Sequence, residues 1–161
     1  MQGFDQNTPE RITPQKRSEL CYGIRCCTCN MLACIQMMMD KYEEQAPAGA
    51  RLLRVLRDAK AATEGVARLL RDAELEVEER ESLLNTGANF DQPKSITPQR
   101  RSEICQEIQR YIGAVPSHIE SGDLETALQL TERVNDGLQF LLRSARVDAV
   151  GTPDYKPTCD T

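Results

Sequence analysis

The sequence predicts an all-α protein: an antiparallel three-helix bundle with an additional N-terminal helix, or a four-helix bundle if that helix packs in. Three observations point there. Apolar residues recur at helical steps of three and four over four segments separated by Pro and Gly. The pair Thr-Pro twice stands where such a segment begins, as an N-cap followed by Pro at the first helical position. Aromatic residues make up only 4% of the chain, and β-sandwich strands favour the aromatic and β-branched residues that are scarce here. A length of 161 residues suits one domain with at most a side element.

Residues 1–12 read as a polar, loose tail. The first helix opens at Thr13-Pro14, and Leu20, Ile24, Cys27, Met31, Cys34, Met38 and Tyr42 give its stripe. It occupies 13–45 and ends before Ala46-Pro47-Ala48-Gly49. The second helix spans about 49–86, with the stripe Leu52, Leu56, Ala59, Val66, Leu70, Ala73, Val77 and Leu84. Residues 49–71 hold six basic and two acidic side chains, whereas 72–81 hold six acidic and one basic. That order opposes the helix macrodipole, so packing has to outweigh it. Residues 85–94 form a loop. The third helix opens at Thr97-Pro98 and carries Ile104, Ile108, Ile112 and Val115, with Pro116 as a late kink or stop. The fourth opens at Ser121-Gly122-Asp123 and carries Leu124, Leu128, Thr131, Val134, Leu138, Leu141 and Ala145. Residues 148–161 read as a second loose tail.

One internal repeat is plain. Ile12-Thr-Pro-Gln-Lys-Arg-Ser-Glu-Leu-Cys21 matches Ile96-Thr-Pro-Gln-Arg-Arg-Ser-Glu-Ile-Cys105, and Ile24/Ile108 and Ile35/Ile119 extend it at the same offset. Thr-Pro alone is explained by capping; Gln-x-Arg-Ser-Glu is not. A duplicated helix that packs in an equivalent way is the economical account.

Composition also narrows the function classes. No apolar run approaches a membrane span, and neither a signal-peptide layout nor a lipidation terminus is visible. The net charge of −5 argues against nucleic acid as the main partner. Arg51, Arg54, Arg57, Arg68 and Arg71, in the basic half of the second helix, do not share one face. The single His, His118, rules out sites that need two imidazoles from one chain and reads as a helix-end residue. No nucleophile elbow, phosphate loop or zincin motif occurs, so no catalytic residue, metal ligand or cofactor site is assigned.

Seven cysteines, an odd number, with no secretion signal favour reduced thiols and a cytoplasmic setting. Five crowd into the first helix: Cys21, Cys26, Cys27, Cys29 and Cys34. Cys21, Cys26, Cys29 and Cys34 would hold zinc only if that helix broke. Cys26-Cys27-Thr28-Cys29 beside Arg25 has the look of an S-acylated patch. The third reading places Cys27 and Cys34 in a core with the neighbouring Met side chains, and Met37-Met38-Met39 make the helix apolar over more than one stripe, suiting it to docking as well.

In the last hundred residues, Val134-Asn135-Asp136-Gly137-Leu138 and Leu141-Leu142-Arg143 lie on the final helix, after a helix at Cys105–Pro116 and a turn through His118-Ile119 to Leu124. This arrangement over about 49–147 resembles the GAT domain of GGA- and TOM1-type clathrin adaptors. The resemblance implies a three-helix module, without enzymatic activity, that binds ubiquitin or an amphipathic partner helix in endosomal or trans-Golgi sorting, at the membrane periphery. It implies a protein-binding surface at Leu128, Glu132, Asn135 and Asp136, where Glu132 departs from the family's apolar residue. No VHS domain or clathrin box accompanies it, and 13–45 does not read as the family's Arf-binding hook. Two further readings stand beside it: an assembly protein that forms homo-oligomers through the Cys/Met-rich helix, and a cysteine-based metal or redox protein.

Overall fold

A computed structural model describes residues 11–40, 48–85 and 96–156. They form four helices: α1 (Pro14–Met39), α2 (Ala48–Asn85), α3 (Pro98–Glu120) and α4 (Leu124–Ala149). Each packs on the next, and α4 closes the ring on α1. The result is an up-down-up-down four-helix bundle, in which the N-terminal ends of α1 and α3 meet the C-terminal ends of α2 and α4. The described part of the 13–45 segment, residues 13–40, is therefore no appendage to a three-helix unit, because α1 packs against both α2 and α4.

The Thr-Pro signals open both helices as expected. Thr13 accepts a hydrogen bond from the Lys16 amide, and Thr97 accepts one from the Arg100 amide in the same way. Asp123 caps α4 by accepting from Thr126 N–H. Pro116 does not end α3, which runs on for another turn. That helix stops at Gly122, whose φ of 86° is the left-handed conformation a side chain resists. The Asp123 amide then reaches back to the His118 carbonyl.

The repeat extends into the core. Every buried position of α1 from Arg17 to Ile35 but one has a buried counterpart in α3: Arg17/Arg101, Ser18/Ser102, Cys21/Cys105, Ile24/Ile108, Thr28/Ile112, Met31/Val115 and Ile35/Ile119. The exception is Cys34. A second correspondence joins α2 and α4. Gly65, Leu69, Leu70, Arg71 and Ala73 match Gly137, Leu141, Leu142, Arg143 and Ala145. Val55, Ala59, Ala62, Val66, Leu69 and Ala73 are buried, as are Ala127, Thr131, Val134, Leu138, Leu141 and Ala145. The bundle is thus two copies of one helical hairpin.

Three expectations change. The α2 stripe is rotated: Val55, Ala62 and Leu69 are buried, whereas Leu52, Leu56, Leu70 and Val77 lie at its margin. Residues 11, 12 and 148–156, read as parts of loose tails, are held. Arg11 and Ile12 are held by α2, α4 continues through Ala149, and the Lys156 amide donates to Gln15 Oε1 at 3.0 Å. Among the cysteines, Cys21, Cys34 and Cys105 are buried, Cys27 is half-buried, and Cys26 and Cys29 are exposed. Tyr42, Cys159 and the 86–94 stretch lie outside the described residues.

Candidate functional site

The most concentrated chemistry lies at the end where the helices begin and finish in alternation. Asp72 of α2 is fully buried there. Its Oδ1 accepts from Arg11 Nε and from the Ile12 amide, both at 2.8 Å. Arg17 and Arg101, the two equivalent arginines of the repeat, flank its Oδ2 at 3.8 and 3.7 Å. Each then turns to a second acid, Arg17 to Asp148 at 3.4 Å and Arg101 to Glu76 through a short hydrogen bond. Under the hairpin correspondence Asp148 is the counterpart of Glu76, so the duplication built the same pair twice. Asp72 has no such counterpart, because α4 carries Ser144 at the equivalent place.

Arg11 completes the cluster, reaching Glu76 at 3.1 Å and Glu79 at 2.7 Å, and Arg80 holds the other oxygen of Glu76 at 3.3 Å. Three acids of the second half of α2, Asp72, Glu76 and Glu79, are thereby paired with arginines from α1, α3 and the segment before α1. Burial alone would raise the Glu76 carboxyl. The hydrogen bond and charge of Arg101, with Arg11 and Arg17, outweigh it and hold the group below the ordinary carboxylate range. Burial also lowers Arg17, as does the like charge of Arg101.

Behind the ions Cys21 and Cys105 line a small cavity with Leu69, Leu141 and Ala145. Burial pushes both thiols up to about 12, so they are neutral, unreactive core groups at physiological pH. Buried arginines paired with carboxylates from other helices suit fixing the register of the bundle.

The surface singled out from the sequence lies elsewhere, on the flank of α4 that borders α1. Glu132 and Asp136 are exposed, and Leu128 is half-buried against the core. Asn135 is engaged: its Oδ1 accepts from Thr28 Oγ at 2.9 Å and lies 3.9 Å from Cys29 Sγ. Packing of α1 therefore covers part of this flank and leaves the two acids outside. The helix is unbroken from Cys21 to Cys34, so the four candidate zinc ligands do not converge. No group of three or more His, Cys, Asp and Glu among the described residues is placed to hold a metal ion. His118 lies 3.4 Å from Asp123 at the α3–α4 turn, a helix-end partnership. No described helix is long and apolar enough to cross a membrane.

Sequence reasoning missed the ion cluster. Arg17 and Arg101 stood in the repeat, but their partners sit on other helices, and only the acidic run of 72–81 hinted at a need for cations. No protein-family model matches the chain, and no curated protein or solved structure matches it either.

Proposed function

We propose that the protein is a non-enzymatic binding module that works through its helix surfaces, with ubiquitin as the ligand of the α4 flank. One observation carries this reading: Glu132 and Asp136 stand exposed beside the half-buried Leu128, on a helix whose opposite face is locked into the core. A rigid helix presenting two carboxylates next to an apolar rim suits a transient, micromolar protein contact. The resemblance to GAT domains supplies the identity of the ligand and an endosomal or trans-Golgi setting.

The packing of α1 refines the expectation. Asn135 is committed to Thr28, so binding centres on Leu128, Glu132 and Asp136. Titration of ubiquitin into the isotopically labelled full chain tests this. Shifts confined to residues 124–138 and the adjoining edge of α1, lost in Asp136→Lys, are expected. Unchanged spectra at roughly millimolar ubiquitin, about 4 kcal/mol of binding free energy, exclude it.

A further inference from the structure

The two copies of the repeated helix differ most on the side turned away from the core. On α3 the outer positions are Gln106, Arg110, Gly113, Ser117 and Ser121, an ordinary solvated face. The same positions on α1 are Tyr22, Cys26, Cys29, Ala33 and Met37. These recur at steps of four, three, four and four, a second apolar stripe behind the first. Cys26, Cys29 and Ala33 are exposed, and Met37 is 43% exposed. From Leu20 to Met39 the helix bears a single charge, Arg25. Its small side chains leave a depression of about 210 Å³, walled by Tyr22, Arg25, Cys26, Cys29 and Asn30.

We propose that α1 is a self-association surface, on which α1 of a second copy packs in parallel about a two-fold axis. The stripe has the spacing of a helix–helix seam, and its small residues permit close approach. Charge decides the orientation. On one border of α1 stands α2, where the exposed Arg54 and Arg57 lie next to Asp58, whose charge is felt at Cys27. On the other stands α4, where Glu132 and Asp136 flank Asn135, the partner of Thr28. Cys27 and Thr28 are neighbours, so both borders carry their charges at the same level, near the middle of the seam. A parallel two-fold sets the basic border of each copy opposite the acidic border of the other. An antiparallel pairing centred on the seam sets like charge against like, Arg54 and Arg57 against themselves and Glu132 and Asp136 against themselves.

The acidic border also disfavours an anionic membrane as occupant. The seam from Tyr22 to Met37 is about 23 Å long and ~10 Å wide, so the contact lies below the standard interface size and the dimer is a weak, reversible one. This inference stands whether or not α4 binds ubiquitin.

Sedimentation of the reduced full chain, over roughly 10 μM to 1 mM and without lipid, tests it. A monomer–dimer equilibrium is expected. Ala33→Glu and Met37→Glu, both exposed and tolerable to the fold, should weaken it at least about tenfold. Ser117→Glu, the position equivalent to Ala33 on α3, should leave it unchanged. Diamide oxidation of the dimer followed by peptide mapping should then join Cys26 to Cys26 and Cys29 to Cys29 of the two copies. A monomer at every concentration, or equal effects of Ala33→Glu and Ser117→Glu, overturns the proposal. Cys29 joined to Cys29 with no Cys26–Cys26 link overturns the parallel arrangement, because an antiparallel pairing centred on the seam sets Cys26 opposite Ala33.

Discussion

The two hairpins, α1–α2 and α3–α4, share a core and differ outside it. Nearly the same positions of each face inward, and each contributes one arginine and one acid to the equivalent pairs Arg17–Asp148 and Arg101–Glu76 at the end where α1 and α3 begin. The differences are concentrated in Asp72 against Ser144 and in the outer face of α1 against that of α3. Packing in the interior is felt at the level of single methylene groups, so a duplicated core constrains both copies together. Exposed positions carry no such constraint, and there one copy has become apolar and thiol-rich while the other stays solvated. What one copy has and the other lacks is where this molecule's particular properties reside.

The comparison breaks most sharply at Asp72. Asp72→Ala leaves Arg17 and Arg101 buried against each other and removes two hydrogen bonds to residues 11 and 12. Chemical denaturation should show a loss of about 3–5 kcal/mol. Ser144→Ala, at the equivalent place in α4, should cost no more than about 1 kcal/mol. Equal losses would mean that the asymmetry of the cluster is incidental.

Next come the glycines. A Cβ on Gly137 would lie 2.9 Å from Ile108 Cδ1, whereas one on Gly113 would meet nothing within 4 Å. Overpacking at Gly137→Ala should outweigh the gain in helix propensity, a net loss of about 1 kcal/mol by denaturation. Gly113→Ala should instead stabilise by about 0.5–1 kcal/mol.

The pH dependence sharpens the contrast between buried and outer groups. Glu76 is held below its ordinary value of 4.5. Its contribution is complete above that pH and is lost as pH falls through the folded value. Cys21 and Cys105 are raised from 9.0 to about 12. Their contribution is complete below pH 9 and is lost as pH climbs toward about 12, because the unfolded thiols ionise first. Unfolding midpoints should therefore fall at both extremes. At neutral pH a thiol reagent should label Cys26 and Cys29 promptly and spare Cys21 and Cys105 until the chain unfolds.

Much of the fold was legible because its signals are local. Thr13-Pro14, Thr97-Pro98 and Asp123 cap helices through atoms three residues away, and the α1/α3 repeat is uninterrupted. The register of α2 was less so. Leu52-Leu53 and Leu69-Leu70 offer two adjacent faces, and the buried Ala59 and Ala62 give weak apolar contrast. The α2/α4 correspondence was hidden because α1 ends later than α3, the α1–α2 connection is longer than the α3–α4 turn and α2 starts earlier than α4, which together change the offset from 84 to 72. The ion cluster was out of reach, since Arg17, Asp72, Arg101 and Asp148 come together only through tertiary packing. Of the surface residues chosen from sequence, Asn135 proved to be an interhelix contact because nothing local to α4 announces Thr28.

That α1 is a full member of the bundle, rather than a helix added to a three-helix module at 49–147, is the claim on which the rest depends. Native-state hydrogen exchange tests it directly. Amides of α1 between Cys21 and Ile35 should exchange only through global unfolding, with the same free energy and denaturant dependence as those of Val134 to Leu142 in α4. Exchange of the α1 amides at a markedly lower free energy, while α2–α4 stay protected, would contradict it.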